Sequence, residues 1–365
     1  MTLIVGIKWK GVAYLFADSA ITSSVRSTGE GSFTSFGELE IDDGNSSVTE
    51  SALKIVNAGD CAITFTGDVG TMNSIIDSML VLTKMGVAGS LAFERAWLSN
   101  QPINRSRTVE ILVAVSDLGR GASLWHFADG ARNELADGTI TVLGSARPAT
   151  EAFIVEAFNR IAYHERDPQK ILSVTLAVLQ HFGLHDQTLR DGHGGAFAGI
   201  RVDKAGCQEQ PDTLYVLYRG MKLPSDESFV TDMLLVRHQQ NGLYLGRMNC
   251  NGSAGPNKVL HNPLWVQSDR LAKAQHALDE LFGLETVRIY AFLCFGFRTV
   301  LLTDKQTIEQ KQVIEVEPIS TTAKGVRITV PGKTAKFLAI PPEKGRFSAA
   351  PIAIHALWIP DGEVK

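Results

Sequence analysis

The chain has 365 residues, of which 44% are hydrophobic, and its formal net charge at pH 7 is −4. This length predicts one large or two medium domains, and the apolar fraction is sufficient for a full hydrophobic core, which excludes a disordered chain. No block of like charge is present. The charge distribution therefore argues against nucleic acid or an anionic membrane as the main partner.

The cysteines and histidines form no pattern typical of a metal or redox site. Four cysteines stand far apart without a Cys-x-x-Cys pair: Cys61, Cys207, Cys250 and Cys294. His181 and His185 have the spacing of a metal-binding pair, but Gly183 interrupts the helix between them and no third ligand is evident. We therefore expect no metal and no other cofactor. Sparse single cysteines are typical of the reducing cytoplasm.

The N-terminal segment is apolar, but it has no basic leader, and Lys8 and Lys10 interrupt it early. Two short strands explain this segment better than a signal peptide does. No apolar run reaches the length that a membrane-spanning helix needs. We expect a cytoplasmic protein that has no membrane partner.

Residues 2–8 and 11–18 predict a β-hairpin, in which Gly11 supplies the conformational freedom of the turn. Residues 22–50 are dominated by Ser, Thr, Gly and acidic side chains. This composition predicts a long surface excursion, with one weak hairpin around Phe33–Ile41.

Apolar periodicity predicts the elements that follow, up to residue 202. The predicted strands are Leu53–Asn57, Cys61–Phe65, Thr108–Ser116, Ala122–Phe127, Thr139–Leu143 and Ala196–Val202. The predicted helices are Thr71–Met85, Leu91–Leu98, Ala149–His164 and a last one from Pro168 to near Gly183. Helices thus come in pairs between groups of strands, which favours an α+β fold with sheets covered by helix pairs over a doubly wound parallel sheet.

The last of these helices has two apolar stripes, so we expect it to lie between two layers of the protein. One stripe contains Leu172, Leu176 and Leu179, and the other contains Ile171, Val174 and Val178. Asp167 is the expected N-cap, because Pro168 suits the first turn of a helix.

The second part of the chain predicts an additional α+β region of unknown role. Its predicted strands are Thr213–Tyr218, Met233–Val236, Gly242–Met248, Val287–Phe297 and Val326–Val330, with a helix at Ser268–Phe282. We expect two units, residues 1–205 and 206–365, with the boundary near Asp203–Asp212.

Thr2 carries the strongest chemical signal. If Met1 is removed, Thr2 has a free α-amine beside its own hydroxyl, and the amine can serve as the base that activates this hydroxyl. Many proteins begin Met-Thr and then form an ordinary strand. The interpretation therefore depends on the residues that accompany Thr2.

Residues 1–205 resemble the proteasome β-subunit family, which includes bacterial proteasome-like peptidases. Five elements in chain order carry this resemblance: Thr2, Ala17-Asp18-Ser19, Lys54-Ile55, Thr66-Gly67-Asp68 and Gly144-Ser145. The resemblance implies a four-layer αββα N-terminal-nucleophile hydrolase sandwich. It also implies a homo-oligomer, because family members assemble into rings.

The resemblance also implies the role of each residue. Thr2 would be the nucleophile, Lys54 would favour proton transfer, and Asp18 would hold Lys54 in place. Gly67 would supply the oxyanion-hole N–H, and Ser145 would support the nucleophile. Four residues are expected to line a substrate pocket: Thr22, Ala52, Val56 and Phe65. The implied substrate is a peptide or protein.

Two features depart from the family pattern. The excursion between Asp18 and Lys54 is longer than in the family. The family also has an Asp-x-x-Ser-Gly element, and this chain has Arg190-Asp-Gly-His-Gly-Gly195 instead. Matching the two glycines puts His193 at the serine position, whereas matching Asp191 as a possible supporting residue puts Gly194 there.

Each site residue also has a purely structural interpretation. Lys54 and Asp18 are compatible with an ion pair at strand ends, Gly67 with a turn glycine, and Ser145 with a helix N-cap. Two functions therefore stay open. One is a cytoplasmic threonine peptidase or amide hydrolase, and the other is a catalytically inactive scaffold or interaction protein that forms a homo-oligomer.

Overall fold

The structure is a computed structural model of the chain. It describes residues 2–23, 33–37, 40–42, 47–100, 109–117, 119, 121–186, 188–218, 232–239, 241–249, 258–261, 287–294, 299–304, 315–318, 326–329 and 355–358. The predicted helix Ser268–Phe282 lies outside these residues. No helix among them is long and apolar enough to cross a membrane.

The helices are, in chain order, α1 (Val69–Lys84), α2 (Gly89–Asn100), α3 (Pro148–His164) and α4 (Pro168–Asp186). The strands of the first half are β1 (Leu3–Trp9), β2 (Val12–Asp18), β3 (Ala20–Ser23), β4 (Ile41–Asp42), β5 (Ser47–Glu50), β6 (Ile55–Asn57), β7 (Cys61–Gly67), β8 (Val109–Asp117), β9 (Gly121–Ala128), β10 (Ala131–Glu134), β11 (Ile140–Gly144), β12 (Phe197–Asp203) and β13 (Gly206–Glu209). Those of the second half are β14 (Thr213–Tyr218), β15 (Asp232–Gln239), β16 (Gly242–Asn249), β17 (Lys258–His261), β18 (Ile289–Cys294), β19 (Thr299–Asp304), β20 (Glu315–Pro318), β21 (Val326–Thr329) and β22 (His355–Trp358).

Two antiparallel five-stranded sheets form the centre of the first half. The first sheet has the order β11-β1-β2-β12-β13, and the second has the order β10-β9-β8-β7-β6. The predicted N-terminal hairpin is confirmed, because β1 pairs with β2 and Ile4 lies opposite Ala17. Lys10 and Gly11 make its turn with φ angles of +51° and +74°, as a two-residue hairpin turn requires.

Strand alternation places the two sheets face to face, with α1 and α2 on the outer side of the second sheet. Leu112 and Ala114 of β8 belong to the core between the sheets, whereas Ile111 and Val113 pack with residues of α1 and α2. The sheets approach closely at Gly6, where an added Cβ would lie 2.7 Å from the Leu112 side chain.

The helix α4 lies between two layers, as its two apolar stripes predicted. Leu172 and Leu176 contact the first sheet at Gly199 of β12. Val174 and Val178, on another side of the helix, are also buried, and α4 contacts β18 and β19 of the third sheet. Each fully buried aliphatic side chain stabilises the fold by about 1.5–3 kcal/mol.

The third sheet is formed by the second part of the chain, in the order β17-β16-β15-β14-β18-β19-β22. It contacts the first half at several points besides α4. The rings of Phe36 and Tyr215 meet edge to face at 5.3 Å, and Asn241 Nδ2 donates to the Asn57 carbonyl at 2.9 Å.

The excursion differs from its prediction. A hairpin was expected around Phe33–Ile41, but Ile41–Asp42 pairs with Ser47–Val48, and β5 also pairs with β3. The prediction was wrong because alternation in this stretch is too weak to fix a strand register. The short strands β10 and β13 were also not predicted, since they are exposed or half-buried edge strands without a clear apolar pattern.

Candidate active site

The carboxylate of Asp18, at the end of β2, is the centre of a buried polar cluster. Its Oδ1 accepts hydrogen bonds from Lys54 Nζ at 2.6 Å and from the Leu3 N–H at 3.1 Å. Its Oδ2 accepts a hydrogen bond from the Gly194 N–H at 2.9 Å. The Asp18 side chain is 0% exposed, so these donors replace the water that the charge loses on burial. One carboxylate therefore joins three separate segments of the chain.

Lys54 lies just before β6 and completes the ion pair. Its ammonium group also donates to the Ala20 carbonyl, and its own carbonyl accepts from the Thr64 hydroxyl at 2.9 Å. Burial lowers the pKa of Lys54 below its ordinary value, because the interior disfavours the charged form, and the contacts with Asp18 oppose this shift. The pair is thus almost completely shielded from solvent, with 5% and 0% of the two side chains exposed.

Thr2 and Ser145 are bonded to each other in both directions. The Thr2 N–H donates to Ser145 Oγ at 3.1 Å, and the Thr2 carbonyl accepts from the Ser145 N–H at 2.9 Å and the Ser145 hydroxyl at 3.3 Å. The N-cap of α3 is Arg147, which makes no side-chain cap bond. The interpretation of Ser145 as a helix N-cap is therefore wrong, because its hydroxyl faces Thr2.

Gly144 lies against Thr2 and admits no larger residue. Its φ is +100°, and an added Cβ would lie 1.8 Å from the Thr2 carbonyl oxygen and 3.3 Å from Thr66 Oγ1. Thr66 precedes Gly67, the last residue of β7, whose φ is +105°. Asp68 then caps α1 by accepting from the Thr71 N–H at 2.7 Å.

The turn from Arg190 to Gly195 closes the site beside Asp18. The match that uses Asp191 places Gly194 at the serine position, and the Gly194 N–H is the group that binds Asp18. The Asp191 side chain itself pairs with Arg147. His193 is 0% exposed, and neither of its ring nitrogens makes a well-formed hydrogen bond with a described residue. Burial lowers the pKa of His193, whereas the negative charge of Asp18 opposes that shift.

Three of the four residues expected to line a substrate pocket are buried in the structure. Val56 and Phe65 are packed in the core with α1 and α2, and Ala52 is also buried. Thr22 is half-buried, and its hydroxyl has no hydrogen-bond partner among the described residues. Core packing gives Val56 and Phe65 no surface for a substrate, so this arrangement does not support a pocket role for them.

Glu50 was missed by the sequence interpretation, although it is buried beside the same cluster. Its Oε1 accepts from the Ala196 N–H at 2.8 Å and from the Ser19 hydroxyl at 3.4 Å. A single glutamate in a polar stretch carries no sequence signal of burial. Among the described residues, no group of three His, Cys, Asp or Glu side chains could hold a metal ion.

The fold and this cluster can now be compared with known proteins. Two solved structures show a partial similarity to this chain. One such structure is the Anbu (Gly-1) mutant from Hyphomicrobium sp. strain MC1, with a TM-score of 0.38, 10% identity, and coverage of 57% of this chain and 86% of that chain. Another is eukaryotic HslV from Trypanosoma brucei, with a TM-score of 0.34, 12% identity, and coverage of 55% of this chain and 99% of that chain.

At these TM-scores and identities, neither similarity carries an argument about the fold or the function of this chain. No protein-family model matches the chain, and no curated protein matches it.

Proposed function

We propose that this chain is a threonine-type N-terminal-nucleophile hydrolase, a peptidase or amide hydrolase that uses Thr2. The observation that carries the proposal is the shared oxygen of Asp18. Its Oδ1 binds both Lys54 Nζ and the N–H of Leu3, the residue after Thr2. A buried cation is thereby fixed beside the backbone of the nucleophile, which an ordinary Met-Thr strand does not require.

Cleavage of the peptide bond before Thr2 would free its α-amine, with Ser145 Oγ as hydrogen-bond partner at 3.1 Å. In the first step, Thr2 Oγ bonds to the substrate carbonyl carbon while its proton moves to the α-amine. The Gly67 N–H donates to the oxyanion, and the charge of Lys54 stabilises negative charge that develops on Thr2 Oγ.

The tetrahedral intermediate collapses when the carbon–nitrogen bond breaks and the proton on the α-amine passes to the leaving amine. Water then attacks the Thr2 ester, delivers a proton to the α-amine and releases the acid product. The amine returns that proton to Thr2 Oγ, so the enzyme regains its first state.

The proposal includes the finer architecture and partners that the sequence implies. The two sheets with α1 and α2 on one side and α3 and α4 on the other would be the αββα sandwich of this class. The substrate would be a peptide or protein amide, and the chain would work as a homo-oligomer. No metal or other cofactor takes part in the proposed steps.

The test uses a β-lactone, an electrophile that acylates hydroxyl nucleophiles, with intact mass and peptide mapping as readouts. We expect protein without Met1 to gain one lactone mass on Thr2, and Thr2→Ala to gain none while it stays folded. Retention of Met1 in protein that is active, or absence of label on processed Thr2, would contradict the proposal. The second result would favour the inactive scaffold, in which the Arg190–Gly195 element departs from the family pattern.

A further inference from the structure

Glu50 is a buried carboxylate whose two oxygens bind different parts of the molecule. Oε1 accepts from the Ala196 N–H at 2.8 Å and the Ser19 hydroxyl at 3.4 Å. Oε2 accepts from the Ser35 N–H at 2.8 Å and the Ser35 hydroxyl at 2.6 Å, and it pairs with Lys258 Nζ at 3.2 Å. The Glu50 side chain is 0% exposed.

Glu50 Oε1 binds two segments of the chain, the one that contains Asp18 and the one that contains its donor Gly194. Ala196 comes two residues after Gly194, whose N–H binds Asp18, and Ser19 follows Asp18 directly. The Gly194 carbonyl also accepts from the Ser19 N–H at 3.3 Å. An added Cβ on Gly195 would lie 2.7 Å from Ser19 Oγ, so the two segments are in close contact. Glu50 therefore contacts both the segment that carries Asp18 and the segment that carries its donor Gly194.

The Oε2 side of Glu50 reaches the third sheet. Lys258 is the first residue of β17, the edge strand of that sheet, and lies opposite Leu245 of β16. Its ammonium group also lies 3.6 Å from Glu40 Oε1, which accepts the Glu50 N–H at 2.8 Å. Lys258 thus brings a positive charge from the second part of the chain to two carboxylates of the excursion.

We propose that Glu50 and Lys258 are positioning residues, through which the third sheet holds the Asp18–Lys54 pair in its working geometry. This inference rests on the proposed function of Thr2. The third sheet then belongs to the catalytic apparatus through the charge of Lys258.

The chemistry of Glu50 explains why a carboxylate is needed. Both of its oxygens accept hydrogen bonds. A glutamine at this position would place its NH₂ group, which is itself a donor, against the donors on one side. A buried carboxylate also needs a compensating cation, and Lys258 supplies it with a side chain that is 34% exposed. Replacement of Lys258 is therefore expected to disturb the charge balance of Glu50 without opening a cavity in the core.

The first measurement does not depend on catalysis. Amide hydrogen exchange at Gly194 and Ala196 is followed in the full chain, its Lys258→Met variant and its Lys258→Arg variant. Lys204→Met, an exposed lysine in the turn between β12 and β13, is the matched control. We expect Lys258→Met to exchange about tenfold faster at these two amides, and Lys258→Arg and Lys204→Met to exchange as the wild type does. Equal exchange in all four proteins would overturn the link between Lys258 and the two amides of Gly194 and Ala196.

The second measurement is the rate of Thr2 acylation by the β-lactone at several concentrations. We expect Lys258→Met to lower the maximal rate about 10- to 100-fold at unchanged half-saturation, with recovery in Lys258→Arg, because a small misplacement of catalytic groups has effects of this size. Glu50→Gln is the second variant and changes the other partner of the ion pair. We expect it to lower the maximal rate of acylation by the same factor.

The outcomes separate the two proposals. Faster exchange with an unchanged acylation rate would contradict the positioning role, and unchanged exchange would contradict the link itself. A wild type that is never acylated would refute the proposed function and with it the positioning role, while the exchange measurement would still decide whether the link exists.

Discussion

Lys54 Nζ and Asp18 Oδ1 lie 2.6 Å apart, with only 5% and 0% of the two side chains exposed. The pair is not a surface salt bridge, whose contribution to stability is usually below about 1 kcal/mol. Both charges have left water, and the carboxylate depends on Lys54 and on the backbone N–H groups of Leu3 and Gly194. This dependence makes the pair sensitive to the loss of either partner.

Lys54→Met should destabilise the protein strongly, because it leaves Asp18 buried without a cation. We expect a loss of about 3–5 kcal/mol in the free energy of unfolding, measured with urea. The double variant Asp18→Asn/Lys54→Met should lose less than the sum of the single variants, since no uncompensated charge remains.

Arg160→Met is the control, because it breaks the exposed pair of Arg160 with Glu156 on α3. We expect this variant to lose about 0.3–0.5 kcal/mol. A Lys54→Met variant that is no less stable than this control would show that the buried pair is not important for the fold.

Gly144→Ala should destabilise the protein more than the matched change Gly138→Ala. Both glycines have positive φ, +100° and +88°, so both variants carry the backbone strain of about 1–2 kcal/mol. An added Cβ on Gly144 also meets the Thr2 carbonyl at 1.8 Å, whereas nothing lies within 4 Å of one on Gly138. Thermal unfolding should show a clearly lower Tm for Gly144→Ala, and equal Tm values would mean that the approach to Thr2 is not tight.

Ser145→Ala should slow the acylation of processed Thr2 without unfolding the protein. The variant removes the hydrogen-bond partner of the Thr2 nitrogen but keeps the bond between the Ser145 N–H and the Thr2 carbonyl. Loss of one such hydrogen bond predicts about a tenfold lower rate. The control is Ser78→Ala on α1, which removes a helix-surface hydroxyl bonded to the Ser74 carbonyl. Rates that are equal in the two variants would exclude a supporting role for Ser145.

His193 should make the protein acid-sensitive. Burial lowers the folded-state pKa of His193 below its ordinary value of 6.5, although Asp18 opposes the shift. Between these two values, the unfolded chain binds more protons than the folded chain, so stability rises with pH in this window and is lost as the pH falls through it. Each proton bound only by the unfolded chain changes stability by about 1.4 kcal/mol per pH unit.

The measurement compares urea unfolding between about pH 7.5 and pH 5 in the wild type and His193→Gln. We expect the variant to lose less stability over this range, because it has one fewer buried imidazole to protonate. His164→Gln, which changes an exposed histidine of α3, should follow the wild type. If the stability of His193→Gln depends on pH as steeply as that of the wild type, a group other than His193 causes the acid sensitivity.

Much of the fold was predictable, because the elements of the first half have strong local patterns. The apolar periodicity of Thr71–Met85 predicted α1, and the two stripes of α4 correctly predicted a helix covered on both sides. The excursion before Lys54 could not be predicted in detail, since alternation there is weak and the pairing of β5 with β3 joins distant residues. The domain division near Asp203–Asp212 stays a prediction.

The sequence by itself determined most helices and strands of the first half and pointed to Thr2, Asp18 and Lys54 as candidate site residues, since helix and strand periods and residue types are local properties. Only the tertiary structure decided how these residues are arranged. In the tertiary structure, the Ser145 hydroxyl binds Thr2 and does not cap α3. Val56 and Phe65 pack in the core, and Glu50 is buried beside Lys258. The physical reason is that hydrogen-bond geometry and burial depend on contacts between segments far apart in the chain, which no local pattern encodes.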